Sequence, residues 1–218
     1  MSVLVVTGTD TGVGKTITVA ALAARALAQG RSVAVVKAAQ TGDDDDAGVV
    51  RTLSGVEHVE TLARYPEPLA PAAAARRAGV HAIGAAEIAA AVAALDHDLV
   101  LVEGAGGVLV HFDDAGSTIA DVAALLGAPA VVVARAALGT LNHTALTCEA
   151  LRARQVTVAG VIIGAWPADP GLAERLGRDD LPRYAGAPLL GALPEHAGQL
   201  APHHFRAQAH DWIPTEDL

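Results

Sequence analysis

Residues 2–16 read SVLVVTGTDTGVGKT. An aliphatic run, Ser2 to Thr7, gives way to a glycine- and threonine-rich turn that ends on Lys15-Thr16, ahead of an alanine- and leucine-rich helical pattern. Strand, glycine-rich turn and helix in that order are the context in which such a turn cradles phosphate. Glycines let successive backbone N–H groups converge on phosphate oxygens, and the helix N-terminus adds its dipole. Lys15 is expected on the outer phosphates and the Thr16 hydroxyl on Mg²⁺, with Gly12, Val13, Gly14 and Ile17 completing a nucleotide-binding loop. The stretch departs from the general pattern G-x-x-x-x-G-K-[ST] at one place. Thr9 stands where the first glycine is expected, and Gly8 comes one residue early.

Working outward, short continuous apolar runs recur at 32–37, 98–103, 128–134 and 157–164, with a weaker one at 187–193. Runs of this length read as strands buried on both faces. Helical patterns fill 14–29, 86–97, 117–127 and 140–155. This alternation predicts an α/β fold: three layers, α/β/α, around a mostly parallel central sheet, as in P-loop nucleotide-binding proteins. Gly30 is a natural helix stop, Ser117 or Thr118 a helix start, and Thr140 or Asn142 a cap for the helix at 140–155. The proline-rich 165–183 reads as an irregular segment around a short helix. No repeat or linker composition interrupts the chain, so 1–218 is expected to be one domain.

Bulk composition narrows the class. At 218 residues the chain is long enough to bury a full core. Its 52% hydrophobic content is mostly Ala, Val and Leu, with aromatics at only 3%, so helices are expected to pack closely on the sheet. A formal charge of −9 argues against sequence-independent nucleic-acid binding. A lone cysteine, Cys148, rules out an internal disulfide framework. The opening MSVLVVTG lacks the basic stretch and apolar length of a signal peptide, and no apolar run approaches a membrane span. A cytoplasmic protein that engages neither membrane nor nucleic acid is expected. His203, His204 and His210 lack companion ligands and are read as surface residues, and Trp166 and Trp212 as packing or interface residues.

Four further segments carry chemistry. In VVKAAQTG (35–42), Lys37 ends a strand on the edge where open α/β sheets bind ligands, and Gln40 and Thr41 offer groups to orient a polar substrate. An acidic run, Asp43 to Asp46, places a carboxylate before a helix, facing the phosphate loop. In LVLVEGAGGVLV (99–110), Glu103 ends a strand as the carboxylate partner of Thr16 around Mg²⁺, which favours one or two carboxylates plus phosphate oxygens. Gly104, Ala105 and Gly106 follow it and permit close approach of a ligand to the backbone. Finally LGTLNHTALT (138–147) opens a helix whose N-terminus suits a substrate carboxylate.

Taken in order, TGTDTGVGKT, KAAQTG, VEGAGG, LGTLNHTALT and PLLGALP resemble one family over nearly the whole chain: dethiobiotin synthetase, the ATP-dependent enzyme that closes the ureido ring in biotin synthesis. The resemblance implies 7,8-diaminononanoate, CO₂ and a nucleoside triphosphate as substrates, with Mg²⁺ as cofactor. It gives Lys37, Lys15 and Thr11 roles at the reacting carbamate and phosphate. Thr16, Glu103 and one aspartate would hold the metal: Asp46 is favoured because it precedes the small Ala47, while Asp45 stays open. Thr41, Gly106, Pro71 and Ala72 match the diamine contacts. The family is homodimeric, so Leu138, Gly139, Thr140, Leu141 and Asn142 are expected to reach the partner's substrate. Where the family commonly carries an Asn-Asp pair that reads adenine, this chain has Gly164-Ala165, with Pro194 and Glu195 left to flank the base. Relaxed nucleotide choice follows, with CTP or GTP competing with ATP. Two other readings differ in class. Partition ATPases carry an early loop lysine where this chain has Asp10, and the amide-forming ligases of cobalamin synthesis are longer, with a second domain built around a cysteine.

Overall fold

The computed structural model describes residues 1–214; residues 215–218, the end of the expected 1–218 domain, lie outside the described residues. The strands are β1 (Ser2–Gly8), β2 (Val33–Lys37), β3 (Gln40–Thr41), β4 (His58–Thr61), β5 (Arg64–Tyr65), β6 (Leu99–Gly107), β7 (Ala130–Ala134), β8 (Val158–Trp166) and β9 (Leu189–Pro194). The α-helices are α1 (Lys15–Ala28), α2 (Asp46–Ser54), α3 (Pro71–Ala78), α4 (Ala85–Ala93), α5 (Ile119–Leu126), α6 (Thr140–Arg152), α7 (Leu172–Ala185) and α8 (Pro202–Trp212).

Seven strands form one parallel sheet in the order β4-β2-β6-β1-β7-β8-β9, while β3 and β5 pair separately. Every sheet neighbour is parallel, so each connection crosses over through a helix or long loop, which covers both faces. Strand residues alternate between the two layers. Val5, Val100, Val102 and Val132 face α4, α5 and α6, where Ile88, Val92, Ile119, Val122 and Leu151 are buried. Val6, Leu99, Leu101, Val131 and Ile162 face α1, α2 and α8 through Val19, Leu22, Leu53, Phe205 and Trp212. The predicted three-layer parallel architecture is what forms.

Differences lie at the edges. Residues 165–183, read as irregular, include most of the 14-residue α7, and Pro182 sits inside its last turn. Only Gly177, Leu181 and Ala185 of that helix are buried, so its apolar stripe is too thin to stand out in sequence. The cap of α6 is also different: Gly139, at φ +95°, precedes the helix, while Thr140 is its first residue and Asn142 lies exposed in the first turn. At α5, Thr118 does occupy the cap. Its N–H and hydroxyl both donate to Asp121, at 2.8 and 2.6 Å.

β1 lies mid-sheet, with β6 and β7 on either side, and the loop from β1 to α1 opens at the C-terminal edge of the strands. That edge, at a reversal of strand order, is where open parallel sheets bind ligands.

Candidate active site

The register of the sheet decides which side chains meet there. Lys37 pairs with Glu103 across β2 and β6, and Glu103 pairs with Val6 of β1. Odd-numbered residues of β2 and β6 (Val33, Val35, Leu99, Leu101) point to the α1 layer, and Lys37 and Glu103 continue that parity. Both therefore end their strands beneath the start of α1, where the phosphate loop delivers Lys15 and Thr16.

All three charged groups are buried, Lys15 to 7% exposure, Lys37 to 5% and Glu103 to 1%. Lys37 Nζ donates to Glu103 Oε1 at 2.6 Å and also pairs with the Asp46 carboxylate. Thr16 Oγ1 donates to the same Glu103 oxygen at 2.9 Å. Burial alone pulls the Lys37 pKa down, but Glu103 and Asp46 outweigh it and hold this ammonium above its ordinary value. Lys15 is different. Its Nζ donates to the Asp10 carbonyl at 3.0 Å, with no carboxylate among the described residues in salt-bridge contact, and burial holds its pKa below the ordinary value.

These groups open into a cavity of about 760 Å³. Thr11, Gly12, Gly14 and Ile17 line it from the loop and α1, and Ala105 and Gly106 from β6. Thr41, Asp46 and Pro71 close the far side. Most of the expected site residues thus converge on one space. Others stand apart. Val13 is buried in the α1-side core, and Gly104 lies behind Lys37, its carbonyl 3.5 Å from Nζ. Ala72 is buried, its N–H donating to the His111 carbonyl at 3.1 Å. Leu138, Gly139 and Asn142 are exposed, Leu141 is half-buried and Thr140 buried, and none of the five lines this cavity.

Gly164 also lies outside the cavity. A Cβ at Gly14 would lie 2.7 Å from the Gly164 carbonyl, and a Cβ at Gly164 would overlap the Val13 carbonyl. The phosphate loop rests directly on the backbone at 164. Ala165 is exposed, as are Pro194 and Glu195 at the end of β9, where the Glu195 N–H donates to the Trp166 carbonyl at 2.7 Å.

Of the aspartates, Asp46 begins α2 and turns to Lys37, while Asp45 turns outward to Arg64 at 3.0 Å. Asp10 accepts the Thr11 N–H and the Arg135 guanidinium, each at 2.7 Å. The Thr16 hydroxyl and the Glu103 and Asp46 carboxylates form an oxygen donor set of the kind Mg²⁺ favours, and the Lys37 ammonium already draws the two carboxylates together. Sequence reasoning missed the wall formed by Pro68, Leu69, Ala70 and Val110, which lines the cavity through apolar side chains that carry no chemical signature. His203 and His204 lie side by side on α8 with their rings tilted by 50°, and among the described residues no group of three or more His, Cys, Asp or Glu side chains is arranged to hold a metal.

Comparison with known proteins agrees on the family and the fold. A family model described as an AAA domain matches residues 2–202. The ATP-dependent dethiobiotin synthetase of Streptomyces avermitilis is 59% identical, covering 98% of this chain and 92% of its own. That of Saccharopolyspora erythraea is 61% identical, covering 90% and 89%. Among solved structures, the septum-site-determining protein MinD of Pyrococcus horikoshii, complexed with Mg-ADP, aligns at TM-score 0.63 and 16% identity over 96% of this chain and 95% of its own. A ParA family ATPase of Chlorobium tepidum aligns at TM-score 0.57 and 16% identity over 99% and 94%. At such identity the last two speak to the fold alone.

Proposed function

The chain belongs to the family of ATP-dependent dethiobiotin synthetases, and from that membership we propose how its residues carry the reaction. It is an ATP-dependent ligase of biotin biosynthesis. One amine of 7,8-diaminononanoate takes up CO₂ as a carbamate. A carbamate oxygen attacks the γ-phosphorus of ATP, ADP departs, and a carbamic–phosphoric anhydride remains. The second amine attacks the carbonyl carbon, the C–O bond to phosphate breaks, and the ureido ring closes with loss of a proton from that nitrogen. Phosphorylation is needed because a carbamate has no leaving group better than oxide.

Lys15 supports this reading most directly. A buried ammonium whose hydrogen-bond partner among the described residues is a carbonyl is costly, and an anion entering the cavity offsets that cost. Triphosphate is the anion the loop is shaped to cradle. Lys37 keeps its proton, so it acts as fixed positive charge toward carbamate and transferring phosphoryl group, not as a base. Thr11 borders the same space. Bound Mg²⁺ neutralises charge on the outer phosphates, and Thr16, Glu103 and Asp46 are the residues that would hold it. Thr41, Gly106 and Pro71 line the cavity where the diamine is positioned against the carbamate. Since a side chain at 164 would overlap the loop, base discrimination falls to the strand ends around Pro194, and CTP or GTP competes with ATP. A hundredfold preference for ATP over CTP in measured Kd values would refute that point.

The active unit is a homodimer in the cytoplasm, with the Leu138–Asn142 segment serving the partner's substrate site. Leu138 is 89% exposed, and Leu109 and Leu146 share an adjoining groove, an apolar surface suited to a second copy. The test is phosphate release with Mg²⁺, ATP, bicarbonate and diaminononanoate, omitting one component at a time. Release that needs both diamine and bicarbonate is expected; release indifferent to the diamine would remove the substrate and favour a switch-type ATPase.

A further inference from the structure

We propose that Gln40 is a positioning residue that fixes Asp46 beside Lys37 and ties the metal ligand to the substrate-binding loop; this rests on the Mg²⁺ reading of Thr16, Glu103 and Asp46.

Gln40 is 5% exposed, too deep for a polar side chain without a task. Its Oε1 accepts the backbone N–H of Asp46 at 3.3 Å, and its Nε2 donates to the Thr41 carbonyl at 3.4 Å. The first N–H groups of a helix have no partner within it. At α2 the amide of Gln40, brought in from β3, supplies one for the residue whose carboxylate reaches Lys37. Gln40 is itself anchored: its N–H donates to the Ala63 carbonyl at 2.9 Å, and β3 pairs with β5. Three functions then share one rigid connection. Lys37 ends β2, Gln40-Thr41 follows as β3, and Asp46 opens α2, all within ten residues of chain. Both Gln40 and Thr41 line the cavity. A carboxylate at a helix start is otherwise free to turn outward, as the adjacent Asp45 does toward Arg64. With Gln40 in place the Asp46 backbone is held where its carboxylate reaches Lys37, so a residue outside the acidic run supports the choice of ligand within it.

The test uses Mn²⁺ and ATP on the intact chain, read by electron paramagnetic resonance of bound Mn²⁺, with no diamine present. Gln40→Met removes the acceptor at nearly constant volume. It is expected to weaken Mn²⁺ binding in the ATP complex about tenfold, as loss of a residue that orients a metal ligand commonly does. ATP affinity in EDTA is expected to stay within about twofold of wild type. Gln40→Asn keeps the amide but not the reach, and is expected to behave alike, which serves if the methionine variant does not fold. Mn²⁺ affinity within twofold of wild type in a folded variant would overturn the proposal, as would an equal loss of ATP affinity in EDTA, which marks collapse of the loop. Asp46→Asn is the control for the underlying reading: if it leaves Mn²⁺ binding unchanged, the assignment of Asp46 to the metal fails independently of Gln40.

Discussion

Lys15 is 7% exposed at the wall of the cavity, and among the described residues no carboxylate is in salt-bridge contact with it. Its depressed pKa means the unfolded chain holds that proton more firmly, so below pH 10.5 the residue costs stability in the empty protein. Lys15→Met is therefore expected to raise Tm of the nucleotide-free chain by roughly 2–4 °C, corresponding to about 1 kcal/mol. The same change abolishes ATP binding, and thermal unfolding with and without ATP reads both effects. A lower Tm in the empty variant would mean the Asp10 carbonyl contact outweighs burial. At this scale the sequence was informative: Lys37 and Glu103 each end an apolar run, where a charge has no packing role, and Lys15 closes the glycine-rich loop between strand and helix. Between Asp45 and Asp46 only the resemblance favoured one, because identical side chains in a run differ only through their partners. Those partners, Arg64 for Asp45 and Lys37 for Asp46, lie outside the run.

Elements show the same division. Helix α5 starts on a reciprocal Thr118–Asp121 pair, an arrangement visible in sequence as Thr followed three residues later by an acid. Burial pushes the Asp121 pKa up, but the Thr118 hydroxyl, the Arg154 guanidinium at 2.8 Å and the Thr118 N–H outweigh it and hold the carboxyl below 3.8. A depressed carboxylate stabilises the fold above its unfolded pKa and loses that contribution as pH falls through its folded value. Asp121→Asn is expected to cost about 1 kcal/mol at pH 7. It should also flatten the dependence of Tm on pH below about 4; an unchanged slope would place acid sensitivity elsewhere. Between β8 and the phosphate loop the contact is backbone on backbone. Gly164→Ala is expected to destabilise the chain by about 1–3 kcal/mol through overpacking. Because the methyl group pushes on the Val13 carbonyl of the phosphate loop, nucleotide affinity falls with it, as titration calorimetry would show. Helix α8 and strand β4 escaped the sequence reading, and α7 was read only as a short helix within an irregular segment, because their buried faces are short: three residues each in α7 and α8, and none fully buried in β4.

For the whole molecule, alternating strand and helix patterns announced a parallel sheet, but not its order. Placing β6 between β1 and β2 depends on crossovers that no local pattern encodes, and that placement is what sets Lys37 beside Glu103. Sequence could give the two residues and their strand ends, not their adjacency. The proposed dimer belongs to this scale. Leu138→Asp puts charge on the most exposed large apolar side chain among the described residues and is expected to give monomers by light scattering, with loss of diamine-dependent phosphate release. A dimer that survives would move the interface off this surface. Finally, with the Lys15 and Lys37 ammonium groups facing the Asp44, Asp46 and Glu103 carboxylates, the charged lining of the cavity among the described residues is net negative before anything enters. An incoming nucleotide therefore approaches a chain of net charge −9 with no opposite field to draw it in. Added salt screens that repulsion, so capture should quicken, by about twofold between roughly 20 and 150 mM ionic strength in stopped-flow mixing. A protein so arranged relies on the fit of its loop rather than on long-range attraction, and it would keep taking up nucleotide in concentrated, salty surroundings where steered binders slow down.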